Sequence, residues 1–546
     1  MPSNPLYSVT QQHSLEIDQN EDFASSADVF RISADEDEED DEKDGIFVDD
    51  GGLTSVRRSR HISWSPSGDT WRDFWYFSGP GWLLSIAYLD PGNYQADIQA
   101  GATRGYKLLW TIWWTTLLSI YVQRMCVRLA YYGQVTLAEV QARDYIDIRW
   151  FRYMNWFIAE LSAILTDLPE VIGIGIAGKM FFGWPYYVGV LLSLVTTMVF
   201  LGMLRFGLRR LECLIFAFVG VMSAALFVET SFVGIQWDKL FRGWTIDVMF
   251  TEQSDLFAVT GIIGSVVMPH NLYLHTAACQ SRRVQRTVDT VQQAVHYCTW
   301  EPVFPLFVSF FINAAVVAIA AERVQGADNA EEVGLTDFCD YFRTLKGGCF
   351  LWGLALLAAG QSSAITTTFS GQYVMDGFLQ IRLPVWSRAV MTRLVAITPC
   401  VIVSVLFPSG PALNGIVNVV NSSLSVLLPF ALTPLVKYNC SRAYMGEFVA
   451  NPFERFFMYS LAIGVYLVNA VSLTAPGGGF FGFVFDMEDG DPRRTLWFGV
   501  MIAVQTFYGV WNLHCLVSPV RQPMTPLEQE RPFVEGEFAP ADAVLD

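Results

Sequence analysis

The chain has 546 residues, of which 52% are hydrophobic, 14% aromatic and only 16% charged, too apolar and too poor in charge for a soluble protein of this length. Its net charge of −18 sits mostly at one end: the first fifty residues hold sixteen acids against Arg31 and Lys43, a balance of −14, and the remaining 496 carry only −4. The body of the protein is therefore expected to have the lipid bilayer as its solvent, with no nucleic-acid partner.

Residues 1–70 read as a disordered, acidic, cytosolic tail. The run from Asp35 to Asp44 has nine acids in ten positions and almost nothing apolar to bury, so no packed structure offsets its ordering entropy. The tail lacks a charged-then-apolar signal pattern, so the first transmembrane span is expected to direct insertion. Ser59, Ser63 and Ser65-Pro66 lie in a basic patch beside the membrane and are candidate phosphorylation sites.

Beyond the tail, apolar runs long enough to cross a bilayer follow one another. Tyr186 to Leu204 contains no charge, and Leu394 to Val436 is interrupted only at Pro408-Ser409-Gly410-Pro411; since a span needs about 20 residues, the second run reads as two helices and a turn. Twelve helices are expected near residues 74–98, 106–131, 152–178, 184–204, 211–232, 256–278, 300–321, 350–378, 386–407, 412–436, 455–475 and 495–518. Basic residues gather in alternate loops, at 143–152, 205–210 and 282–286, on the side of Arg57, Arg58 and Arg60, which places both termini in the cytosol. Most of the nine cysteines read as buried small hydrophobes, while Cys339 and Cys349 share one long loop and can pair if that loop faces an oxidising compartment.

Two expected helices carry a breaker in mid-span, Asp90-Pro91-Gly92-Asn93 in the first and Met268-Pro269-His270-Asn271 in the sixth. Each opens a block of five helices. That pattern predicts two inverted five-helix repeats of the leucine-transporter type, with unwound segments face to face at the midplane and two helices added after residue 436. A carboxylate at the bilayer centre costs about 2.5 to 3.5 kcal/mol, so Asp90 needs a purpose there. Asn93 can turn its amide oxygen toward the same space, and Met268 precedes the second break as a candidate thioether ligand. One carboxylate, one amide, one thioether and freed carbonyls make a cage of mixed hardness, suited to Mn²⁺, Fe²⁺, Co²⁺ or Cd²⁺ rather than to Mg²⁺ or Ca²⁺. No P-loop, dinucleotide fingerprint, nucleophile elbow or H-E-x-x-H spacing occurs, so neither an enzyme, a resident cofactor nor ATP-driven transport is expected.

These segments resemble the Nramp family of proton-coupled divalent-metal transporters. Ser85 to Gln95 (SIAYLDPGNYQ) is similar to the family's first helix and Gly264 to His275 (GSVVMPHNLYLH) to its sixth; GYKLLW at 105–110, TDLPEVIG at 166–173, AGQSSAITTTFSGQYVMDGF at 359–378 and TRLVAITP at 392–399 are similar to other family segments. The resemblance implies Asp90, Asn93 and Met268 as side-chain ligands and Ala87 and Ser265 as carbonyl ligands. Asn421 stands where the family usually has Gln, on a shorter side chain. It also implies a proton pathway through Asp90, His270, Asp167, Glu170 and Arg393. Asp167 and Glu170 share a helix face (i, i+3), and Arg393 offers a compensating charge. Pro169, where Ala is usual, removes a backbone donor between the two acids and is expected to kink the helix. His275, five residues from His270, is expected to make an ordinary interhelical hydrogen bond.

The resulting expectation is a proton-coupled symporter of Mn²⁺ or Fe²⁺ toward the cytosol, in the plasma membrane or an endolysosomal or vacuolar membrane. Its ten-helix core would occupy residues 71–436, two further helices 437–518 and a cytosolic tail 519–546. A Mg²⁺-specialised relative is disfavoured by Met268, a transporter-fold receptor by the brevity of the C-terminal tail, and an amino-acid carrier by the repulsion Asp90 would exert on a substrate carboxylate.

Overall fold

The computed structural model describes residues 70–520 apart from 78–86, 204–216, 218–219, 221–222, 225, 246–252, 281–283, 285–286, 343–346, 382–384, 408–409, 476–479 and 489–490. The acidic tail and its serines, the last 26 residues, half of the expected fifth span and the basic residues at 57–60, 205–210 and 282–286 lie outside the described residues.

All described regular structure is helical. In chain order it comprises α1 (Thr70–Phe77), a single 3₁₀ turn (Ala87–Leu89), α2 (Pro91–Arg104), α3 (Leu109–Tyr131), α4 (Leu137–Asp144), α5 (Arg149–Phe182), α6 (Tyr186–Met203) and α7 (Trp237–Thr245). Then follow α8 (Gln253–Val266), α9 (Pro269–Gln280), α10 (Val288–Trp300), α11 (Val303–Arg323), α12 (Gly348–Leu379), α13 (Val385–Leu406), α14 (Gly410–Asn439), α15 (Pro452–Thr474) and α16 (Pro492–Val517). Among the described residues the expected helices are present with modest shifts at their ends, apart from the first and fifth, parts of which lie outside them. The short helices not anticipated include α7, α4 and α10, the last two with local caps, and one-turn helices at Arg442–Met445 and Phe483–Asp486. Thr136 and Glu139 form a reciprocal capping box on α4, and Thr287 and Thr290 do the same on α10.

Both predicted interruptions are real. In the first, a 3₁₀ turn over Ala87–Leu89 precedes a helix that starts at Pro91; in the sixth, the helix stops at Val266 and restarts at Pro269. Proline supplies no N–H, so it serves well as the first residue of a new helix and poorly as a continuation of the old one. Pro169 behaves differently: α5 runs through it without a break, so the two acids beside it stay on one helix.

Among the described residues, seven helices are long and apolar enough to cross a membrane, and Tyr186–Val199 is a shorter apolar stretch. The other expected spans carry the polar groups. α3 has Gln123, Arg124 and Arg128, and α5 has Glu160, Asp167 and Glu170. The distribution is inverted relative to a soluble protein: Asp90, Asp167, Glu170 and Arg393 are at most 2% exposed, whereas Phe453, Phe456 and Val517 are at least 70% exposed. Lipid is the solvent that rewards that arrangement.

The helices pack pairwise around the breaks, α5 against α12, α8 against α14 and α11 against α2. Glycines set the closeness. A Cβ on Gly173 of α5 would lie 2.8 Å from the Pro91 ring, and one on Gly264 of α8 would overlap the Asn421 carbonyl oxygen and sit 2.6 Å from the Ser425 nitrogen of α14. Small residues let membrane helices approach where water supplies no driving force. Outside the bundle, Cys339 and Cys349 are joined in a disulfide, and the loop around them is tied down by Gln95, whose Oε1 accepts from the Leu335 N–H at 2.9 Å.

The contact at Gly264 yields a stability prediction. Gly264→Ala is expected to push α8 off α14 at a cost of about 1–3 kcal/mol. Gly415→Ala, which would meet nothing within 4 Å, is expected to leave stability unchanged or slightly raised. Melting of the two detergent-purified variants, followed by size-exclusion chromatography, checks the difference; equal melting points would show that the α8–α14 approach is not constrained by Gly264.

Candidate metal-binding site

The first break is organised by Asp90. Its backbone is extended (φ −87°, ψ 165°), it caps α2, and its Oδ1 accepts the Asn93 N–H at 2.7 Å. Asp90, and not Asn93, is thus the residue that caps α2. Asn93 is 1% exposed, and among the described residues neither its Oδ1 nor its Nδ2 has a hydrogen-bond partner. A buried carboxamide with four unmet hydrogen-bonding capacities is costly unless a ligand uses it.

Asn421 of α14 reaches the same turn. Its Nδ2 donates to the Gly92 carbonyl at 2.8 Å, while its Oδ1 is buried and unpartnered. A Cβ on Gly92 would lie 2.9 Å from Asn421 Oδ1 and 3.2 Å from Asp90 Oδ2, so the two oxygens flank one small space. Only glycine leaves that space open. Because Asn421 also abuts Gly264 through its backbone, it connects the two broken helices, and the shorter side chain that stands here in place of Gln still reaches the break.

At the second break, Met268 is 1% exposed between α8 and α9, and its carbonyl accepts the Asn271 N–H at 3.2 Å. Ser265 is buried with its hydroxyl turned back to the Ile262 carbonyl at 3.1 Å, so it offers the site only its backbone. It lies in the last turn of α8, where carbonyls lack an intrahelical donor. Ala87 occupies the 3₁₀ turn that leads into Asp90.

The expected charge cluster is assembled beside this region. An Arg393 Nη lies 2.9 Å from Glu170 Oε2 and 3.8 Å from Asp167 Oδ1, and Asp167 Oδ1 also accepts from Thr367 at 2.7 Å. His270 joins the cluster's edge: its Nδ1 is 3.1 Å from the hydroxyl of Thr166, the residue next to Asp167, and its carbonyl accepts from Ser370 at 2.7 Å. The Nε2 of His270 has no partner. A second ion pair, Arg388 with Glu160, was not anticipated, although Glu160 lies seven residues before Asp167 and so on the same face of α5.

His275 makes its expected interhelical hydrogen bond, to Gln123 at 2.5 Å. The larger network around it was not legible: Gln123 and Ser119 both donate to the Tyr88 hydroxyl at 2.6 Å, which ties α3 and α9 to the turn before Asp90.

The chain matches the family described as natural resistance-associated macrophage protein-like, Nramp, over residues 81–475. It is 36% identical over 413 residues to metal transporter Nramp2 of Populus trichocarpa, spanning 74% of this chain and 76% of that one. It is 35% identical, with the same coverage, to the metal transporter nramp1 homolog of Dictyostelium discoideum. Among solved structures it resembles the Eremococcus coleocola manganese transporter with a TM-score of 0.74 and 27% identity, covering 85% of this chain and 99% of that one.

The Arg393 cluster can be tested for its contribution to folding. Arg393→Leu leaves two buried carboxylates without their counter-charge and is expected to cost about 3–5 kcal/mol. Adding Glu170→Gln to that variant removes one of the stranded charges and is expected to recover part of the loss. Expression and thermal stability of the single and double variants check this; a double variant no better than the single one would argue against charge compensation.

Proposed function

Because this chain belongs to the Nramp family of metal transporters, we propose that it carries Mn²⁺ or Fe²⁺, with Co²⁺ and Cd²⁺ as further substrates, into the cytosol by proton-coupled symport. Members of the family are transporters and not enzymes, and this chain is an integral membrane protein. The observation that carries the finer reading is that the Asp90 carboxylate and the buried, unpartnered Asn421 Oδ1 flank one small space at the first break, at the start of the helix whose Asn93 has a buried, unpartnered Oδ1 of its own.

In this reading Asp90 supplies the single negative charge, Asn93 and Asn421 add neutral oxygens, Met268 adds a thioether, and the Ala87 and Ser265 carbonyls complete the shell. One charge against a divalent ion keeps binding reversible, which a carrier needs. The soft sulfur discriminates against Mg²⁺ and Ca²⁺, which prefer all-oxygen shells. An incoming cation favours loss of a proton from Asp90. His270, through Thr166, offers a route from there to Asp167 and Glu170, where two carboxylates facing one guanidinium leave room for one exchangeable proton.

The core spans residues 71–436 and two helices follow to 518, with cytosolic tails at 1–70 and 519–546. The Cys339–Cys349 disulfide supports placing its loop on the non-cytosolic side, since thiols facing the cytosol stay reduced. The host membrane is then the plasma membrane or an endolysosomal or vacuolar membrane.

Uptake by the purified protein in liposomes, with internal pH recorded, tests the reading directly. Asp90→Asn is expected to abolish Mn²⁺ uptake while leaving the protein folded, and Asn93→Ala to reduce it less. Wild-type uptake by Asp90→Asn would sink the site assignment, and Mn²⁺ entry without internal acidification would sink the coupling. Met268→Ala is expected to retain part of the Mn²⁺ uptake, to weaken competition by Cd²⁺ and to strengthen competition by Ca²⁺ and Mg²⁺, because the vacated volume admits an oxygen ligand. A uniform loss for every ion would instead make Met268 structural.

A further inference from the structure

A cavity of about 690 Å³ opens beside the loop that follows α11 and descends between α2, α8 and α14. Its rim is the turn at residues 325–332, which presents Asp328, Glu331 and Glu332, all exposed. Among the described residues the one cation in its wall, Arg104, lies with Nε 2.5 Å from Asp255, so its charge is already matched and the rim remains strongly negative. Below the rim the wall turns neutral and polar. Gln99 Nε2 donates to the Glu331 carbonyl at 3.3 Å, and Gln99 Oε1 accepts from Asn418 Nδ2 at 3.3 Å, which joins α2 to α14 one turn above Asn421. Asn414 Nδ2 donates to the Glu332 carbonyl at 3.0 Å and anchors the turn to α14. The floor is Asn421 itself, 1% exposed, with Oδ1 unpartnered and set next to Asp90.

We propose that this vestibule is a recruitment site for hydrated divalent cations, with Asp328, Glu331 and Glu332 as the capturing rim and Gln99 and Asn418 as a neutral throat leading to Asn421. The proposal rests on the metal-transport reading above. Six waters occupy roughly 180 Å³ at their liquid share, so the cavity holds a complete first hydration shell with space to turn. Carboxylates spread over an exposed turn attract such an ion through its water without stripping it. Amides lower down exchange with water as ligands while adding no charge that would trap the ion short of Asp90. Charge is thus placed where capture is needed, removed where passage is needed, and restored once at the buried site.

An exposed field of this kind acts on the encounter rate and is screened by salt. The full-length variant carrying Asp328→Asn, Glu331→Gln and Glu332→Gln is expected to raise the KM for Mn²⁺ about 3- to 10-fold in liposome uptake at roughly 10 mM salt, where the screening length is about 30 Å, with an unchanged maximal rate. Near 1 M salt, where the screening length falls to about 3 Å, its KM is expected to match wild type. A charge-preserving variant, Asp328→Glu with Glu331→Asp and Glu332→Asp, is expected to keep the wild-type KM at both salts. An unchanged KM for the neutral variant at low salt would overturn the proposal, and so would an increase that persists at high salt. Asp90→Asn, run alongside, separates the two readings: uptake that survives it discredits the central site, whereas an uninfluential rim with a dead Asp90→Asn discredits only the vestibule.

Discussion

A chain that crosses lipid must satisfy its own backbone hydrogen bonds, and this one breaks that rule at two places facing each other. Pro91 and Pro269 each restart a helix that would otherwise run through the bilayer, and each leaves carbonyls and N–H groups that the surrounding protein has to accommodate. The accommodation shapes the rest of the molecule. Asp90 turns its side chain into the cap of α2, Asn421 bonds the Gly92 carbonyl, and the Tyr88 hydroxyl is held by Ser119 and Gln123. Left over are the buried amide oxygens of Asn93 and Asn421, which have no hydrogen-bond partner among the described residues.

Keeping such a break closed to lipid requires helices at very short range. Gly173 admits the Pro91 ring, Gly264 admits the backbone of α14, and Gly92 keeps a side chain out of the space between Asp90 and Asn421. These glycines have no chemistry of their own. They nonetheless decide whether three helices can bring their functional groups to one point, and Asn421 is the residue on which both breaks converge.

Charge follows a similar economy. The buried carboxylates of α5 are matched by arginines of α13, Glu170 and Asp167 by Arg393 and Glu160 by Arg388, so α13 serves as the cationic counterpart of α5. Lys437 plays a comparable part at the far end of α14, with its Nζ 2.6 Å from Asp144 of α4. Among the described residues no cationic side chain is bonded to Asp90 at the break, nor to the buried Asp97 two turns further along α2.

Much of this was legible from the chain itself. Composition indicated the bilayer, Asp90-Pro91-Gly92-Asn93 and Met268-Pro269 located the breaks, and the i, i+3 spacing put Asp167 and Glu170 on one face, because proline and mid-membrane charge are costly wherever they occur and so carry meaning without a fold; the family resemblance added Arg393 to that pair. Other features could not be read this way. That Asp90 rather than Asn93 provides the cap, that Asn421 still reaches the break, that α5 continues through Pro169, and that Gln99, Asn418 and the 325–332 turn enclose one cavity all depend on distances between segments far apart in sequence. A single asparagine or glycine has no local signature for such a role. Only the packing of α2, α8 and α14 against one another decided which polar groups would be satisfied by protein and which would be left without a partner.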